Sequence, residues 1–138
     1  MRRVLCLIVV GALLGACGNS PTTNSPPPTP YRVTVFSSTN STNPAGDKIY
    51  TVVLKAVDKT TGDPVPNHEV ILQVSVGTTN PTLPTTDGTG TATVSWTILK
   101  ADQTPGQSEA MAFCAPGPGQ SFCQTNLSGP DAFVVGPF

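Results

Sequence analysis

Fifteen prolines and thirteen glycines are spread through the 138 residues, and that distribution limits the fold more than any other feature. A proline in a helix interior costs roughly 3 kcal/mol and a glycine about 1 kcal/mol, so a helical bundle is excluded. The two together make up about a fifth of the chain, against roughly 12% in ordinary globular domains. Between them lie short runs rich in β-branched residues, and threonine alone occurs 20 times. The length suits one domain, and a hydrophobic share of 38% is enough for one modest core. Charged residues are only 11% and the formal charge is −1, with no basic run. A nucleic-acid partner is therefore not expected.

Alternation of period two recurs from residue 31 onward. Arg32–Phe36 is short and β-branched, and a polar stretch follows from Ser37 to Lys48. In Ile49–Val57, Tyr50, Val52, Leu54 and Ala56 share one face. Asp58–Asn67 is a turn region carrying Gly62, Pro64 and Pro66. His68–Val76 alternates again, with Val70, Leu72 and Val74 on one side. Gly77–Gly88 is loop-like, with room for a short strand at Leu83–Thr86. Gly90–Ile98 alternates most cleanly, setting Ala92, Val94, Trp96 and Ile98 against Thr91, Thr93, Ser95 and Thr97. That pattern predicts a half-buried strand with a threonine face toward water. Gln107–Cys114 and Ser121–Leu127, separated by Pro116-Gly117-Pro118-Gly119, predict a last hairpin. The tail Ser128–Phe138, broken by Gly129-Pro130 and Gly136-Pro137, is expected to add little regular structure. About seven short strands at this spacing predict an all-β antiparallel sandwich.

The first residues are of another kind. Met1-Arg2-Arg3 precedes an uncharged apolar run from Val4 to Ala16, shorter than the roughly 20 residues that span a bilayer. It has the form of a secretory signal. The run ends Leu14-Gly15-Ala16-Cys17, which resembles the lipobox of bacterial lipoproteins. That resemblance implies a signal peptide over 1–16 and a mature chain beginning at Cys17, with lipid on its sulfur and amine. Arg2 and Arg3 would be lost, taking the formal charge from −1 to −3. Gly18 stands where retention at the inner membrane is associated with Asp, so the implied destination is the outer membrane or cell surface. Three acyl chains exceed what stable anchoring needs. Residues 17–30 then form a tether: Asn19–Pro30 holds five prolines and no hydrophobic residue, and extended proline-rich chain rises about 3.1 Å per residue.

Within the domain expected over 31–138, Asp58-Lys59-Thr60-Thr61-Gly62-Asp63-Pro64-Val65-Pro66-Asn67, then Val70 and Leu72, then Thr85-Thr86-Asp87-Gly88-Thr89-Gly90-Thr91-Ala92 stand out. This series resembles the bacterial Ig-like group 1 domain, the repeat of invasin- and intimin-type adhesins, over roughly Arg32–Leu127. The resemblance implies an Ig-like sandwich and a binding, structural or adhesive role toward a protein or cell-surface partner. The chain departs from those adhesins in having a single copy. Transthyretin-like and carboxypeptidase-regulatory-like sandwiches carry a similar turn, which implies an alternative role as accessory subunit of an envelope enzyme or secretion complex.

Cys6 leaves with the signal and Cys17 is lipidated in this reading, so Cys114 and Cys123 are the remaining thiols. The exported compartment is oxidising, and a disulfide between them is expected. His68, beside Glu69 on a strand edge, is expected to be solvated. A calcium site at Asp58, Asp63 and Asp87 would supply hard oxygens, but no ligand-loop spacing supports it, and neither metal nor cofactor is expected. One histidine gives one conventional base, and no serine lies in a G-x-S-x-G elbow. Gly117 and Gly119 alternate with prolines that lack the N–H a phosphate-cradling loop needs. A non-catalytic protein is therefore expected. Trp96 belongs to the core, and Tyr31, Phe113 and Phe122 are the expected exposed aromatics.

Overall fold

A computed structural model describes residues 29–129 and 131–138. The lipobox Leu14-Gly15-Ala16, Cys17 and the tether up to residue 28 lie outside these residues. Among the described residues seven strands follow in order: β1 (Tyr31–Thr42), β2 (Lys48–Asp58), β3 (Ile71–Val74), β4 (Thr78–Asn80), β5 (Thr91–Ile98), β6 (Glu109–Cys114) and β7 (Phe133–Val135). A single 3₁₀ turn at Lys100–Asp102 separates β5 from β6. One sheet has the order β1-β2-β5-β4 and the other β3-β6-β7, with every pairing antiparallel. Numbered along the chain, this is the strand order of a constant-type Ig sandwich.

The alternating faces build the core. Tyr50 lies opposite Trp96, Val52 opposite Val94 and Leu54 opposite Ala92 across the β2–β5 ladder. All six are buried, as are Ala56 and Ile98. The second sheet answers with Met111, Phe113 and Val135, and Val70, just before β3, is fully buried with them. Full burial of each large aliphatic side chain contributes about 1.5–3 kcal/mol. Tyr50, Trp96 and Phe133 form an aromatic cluster, with ring centroids 5.7–6.4 Å apart.

Several boundaries differ from those the sequence predicts. β1 continues through the polar Ser37–Thr42, paired with β2 as far as Thr42–Lys48. A register shift between Val35 and Ser37 sets Phe36 in a bulge, where it is largely exposed. Leu83–Thr86 is not a strand: Thr85 makes one isolated bridge to Glu69, and buried Pro84 accepts the Val70 N–H at 2.8 Å. The short strand of this region is β4 instead, paired to the end of β5. The regular part of His68–Val76 is confined to Ile71–Val74.

The largest difference is the last strand. Ser121–Leu127 does not return beside β6. The tail supplies β7 instead, with Val135 opposite Glu109 and Phe133 opposite Met111. Phe133 and Val135 carry the inward apolar side chains that Ser121–Leu127 lacks at alternate positions. Phe113 is buried at 8% exposure, so it is a core residue and not a surface aromatic.

Cys114 and Cys123 lie at disulfide-bonding distance, with their Cα atoms 6.1 Å apart. They close the start of the long β6–β7 connection and do not join two strands. Closing so short a loop contributes about 2–3 kcal/mol in the chain-entropy account. Alkylation of the unreduced protein followed by intact mass is expected to leave Cys114 and Cys123 unlabelled, with two labels appearing after reduction. Labelling of both without reductant would contradict the bond.

Candidate functional site

The ladders give the sandwich two poles. The chain enters at one, where β1 begins, and the end of β2, the start of β5 and the end of β6 lie nearby. At this entry pole Lys59 ties down the incoming segment: its N–H donates to the Pro30 carbonyl at 2.9 Å and its Nζ to the Thr29 carbonyl at 2.8 Å. His68 is engaged here, contrary to the expectation of a solvated ring. Its Nε2 sits 2.6 Å from the Pro116 carbonyl, and its ring meets Tyr31 edge-on at 4.9 Å. Asp87 folds the approach to β5, accepting the Thr89 N–H at 2.8 Å and the Thr91 N–H at 3.0 Å. These bonds, with those from both threonine hydroxyls, hold its carboxyl well below the usual range. Asp58 accepts the Thr60 and Thr61 N–H groups in the same way. Both carboxylates thus close turns, and among the described residues no three His, Cys, Asp or Glu side chains gather to hold a metal ion.

The opposite pole carries a cleft of about 540 Å³ lined by Asn40, Lys48, Tyr50, Gln103 and Gly136–Phe138. Its size falls within the range of small-ligand sites. The cleft lies between the distal half of the β1–β2 hairpin and the tail that follows β7. Asn40 lies opposite Tyr50, and Thr42 opposite Lys48, on the face that covers the core nearer the entry pole. Every residue of Ser37–Thr42 is exposed, so both faces of this half of β1 are open to solvent.

Three ties hold the cleft walls. Asp47, in the β1–β2 turn, accepts the Lys100 N–H and the Asn43 side-chain amide, each at 2.9 Å, and these bonds lower its pKa. The Gln103 side-chain amide donates to the carbonyls of Gly46 at 3.0 Å and Ile98 at 3.3 Å. Phe138 is pinned through its carbonyl to the Gly106 N–H at 2.9 Å and through its N–H to the Gln107 carbonyl at 3.3 Å. Burial raises the pKa of the Tyr50 phenol. Lys48 adds one cation, its Nζ 3.0 Å from Thr42 Oγ1. The lining therefore offers ring faces beside amide, hydroxyl and ammonium groups. That mixture suits recognition, and no nucleophile is paired with a base along it.

This corner has no signature in the sequence. The alternation sets Tyr50 in the core, where it lies, and Asn40 and Lys48 in a polar stretch. Their convergence depends on the hairpin register and on the tail folding back, and neither has a local motif. Of the aromatics expected at the surface, Phe122 is exposed and Tyr31 is half-buried against His68. Phe36, which the alternation does not single out, is exposed as well; Lys55 Nζ lies over it, 5.7 Å from the centroid. No family model, curated protein or solved structure matches the chain.

Proposed function

We propose that this is a lipid-anchored protein of the bacterial envelope that displays an Ig-like domain for binding, without chemistry of its own. The observation that carries the reading is the opposition of the two poles. The chain enters at Tyr31, directly behind the proline-rich stretch, and the cleft around Tyr50 opens at the far end. A domain held by its entry pole would present the cleft and the distal half of the β1–β2 hairpin away from the membrane. The Leu14-Gly15-Ala16-Cys17 box supports the anchor, and the constant-type strand order supports the Ig-like comparison. The destination is the outer membrane or cell surface, and the partner is a protein or another cell-surface molecule.

Cys17→Ser tests the anchor, because the thiol is the acceptor of the diacylglyceryl group in lipoproteins. The wild-type protein is expected in the detergent phase of a cloud-point partition and the variant in the aqueous phase. Partitioning of the variant with the detergent would refute lipidation at Cys17.

A further inference from the structure

Each sheet has two open edges, and three of the four edge strands are blunted. β4 has three residues and runs into Pro81, β3 has four, and β7 has three and runs into Gly136-Pro137. Short strands and adjacent prolines are the usual protection against stray pairing. β1 is the exception. It is twelve residues long and contains no proline, and Arg32 is its only charged residue. Residues 131–134 lie beside Thr34 and Val35 across a shallow groove, whereas Ser37–Thr42 is exposed throughout. The bulge at Phe36 divides the strand there. What remains is a six-residue edge, Ser-Ser-Thr-Asn-Ser-Thr, whose outward backbone groups have no partner among the described residues and which carries no charge or proline to repel another strand.

We infer that this edge pairs antiparallel with the same edge of a second copy of the chain. The edge is neutral from Val33 to Thr42, so two copies oppose each other without like charges, and hydroxyl side chains facing across strands stabilise such a ladder. The geometry restricts the register. Ser37, Thr39 and Ser41 lie opposite Val53, Thr51 and Ile49 on the outer face, whereas Asn40 lies opposite Tyr50 on the cleft face. Paired residues share a face, so a continuous sheet requires outer residues to meet outer residues. A two-fold axis at Thr39 meets this condition. Thr39 then faces its own copy, Ser37 faces Ser41, and Ser38 faces Asn40. The four-stranded sheets merge into one of eight strands, and the two clefts lie beside the seam.

Antiparallel pairing through these halves of β1 joins the domains by the poles that carry the cleft, with the two Tyr31 ends pointing apart. Where the anchoring reading holds, the pair bridges two membranes. The pairing itself rests on the edge alone. Six residues a side make a small contact beside the roughly 1,200 Å² of a stable interface, so each contact is weak and many in parallel are needed for attachment.

The test is sedimentation velocity of the full chain solubilised in detergent, from about 1 µM to about 1 mM, the range in which weak association is read. Wild type is expected to shift from monomer to dimer across that range. Thr39→Lys and Thr39→Glu, both on the exposed face, are each expected to stay monomeric with an unchanged melting curve. An equimolar mixture of the two is expected to dimerise again, as opposite charges meet across the seam. Cys17→Ser is expected to pair like wild type, which keeps this result separate from the anchor. A wild type that stays monomeric, a dimer indifferent to Thr39→Lys, or association lost in Cys17→Ser would each overturn the proposal. Binding of a foreign strand to an otherwise monomeric protein would overturn it too.

Discussion

Trp96→Ala is expected to destabilise the domain by about 3–5 kcal/mol, the range for removing a large aromatic from a packed core. Trp96 is fully buried in the middle of β5. Its ring is flanked by Tyr50 at 5.7 Å and Phe133 at 6.4 Å, so truncation leaves a void bounded by both sheets. The loss is also polar. The indole N–H donates to the Val76 carbonyl at 2.8 Å, and without it that acceptor is left without the donor. Trp96→Phe separates the two contributions: it keeps much of the ring and loses the hydrogen bond, whose removal costs about 1–3 kcal/mol where a buried partner stays unpaired. Small domains are stable by only about 5–15 kcal/mol, so the alanine variant is expected near the limit of folding. Urea denaturation followed by far-UV circular dichroism gives both values. A change under about 1 kcal/mol for Trp96→Ala, the range of surface substitutions, would place the indole outside the core.

The same tryptophan shows what a sequence makes legible. β2 and β5 are bounded well by alternation because one face of each is buried on a well-covered sheet, and Val52, Leu54, Val94 and Trp96 keep the period without interruption. The outer half of β1 has no buried face, so Ser37–Thr42 gives no apolar signal although it is fully paired. Its strand character comes from the partner, since β2 holds it in register. β7 was hidden for a different reason. Phe133–Val135 is three residues long and sits among glycine and proline breaks, and only the sheet it completes distinguishes it from Ser121–Leu127. The turns behaved otherwise. Asp87 accepts bonds from the backbone two and four residues on, a local arrangement that the Asp-Gly-Thr-Gly run encodes directly. The candidate site inherits the harder cases, because its lining includes Asn40 of the unpatterned half of β1, Gln103 of the loop after β5 and the tail Gly136–Phe138.

Gly77→Ala is expected to cost about 2–5 kcal/mol, although it adds one methyl group. Gly77 has φ +83°, a left-handed conformation that costs a residue with a Cβ roughly 1–2 kcal/mol. A Cβ built there runs into the Thr97 carbonyl oxygen and comes within 3.2 Å of the Trp96 indole nitrogen. The obstacle is backbone, so no rotamer change relieves it, and displacing packed structure costs about 1–3 kcal/mol. The position matters because the chain passes here from one sheet to the other. Ser75 still donates to the Ala110 carbonyl at 2.9 Å in the β6 direction, and Thr78 is already opposite Thr97. Between them the Val76 carbonyl must turn inward to meet the indole. Gly62→Ala is the control: its φ is +79° and a Cβ there meets nothing within 4 Å, so it pays for conformation alone. The difference between the two variants in urea midpoint measures the close approach of β3–β4 to β5. Because the Val76 carbonyl that accepts the Trp96 indole N–H belongs to the peptide unit leading into Gly77, Gly77→Ala combined with Trp96→Phe is expected to cost less than the two single changes added together. If Gly77→Ala is no less stable than Gly62→Ala, the corner yields freely and the link between the sheets at Val76 is not a tight one.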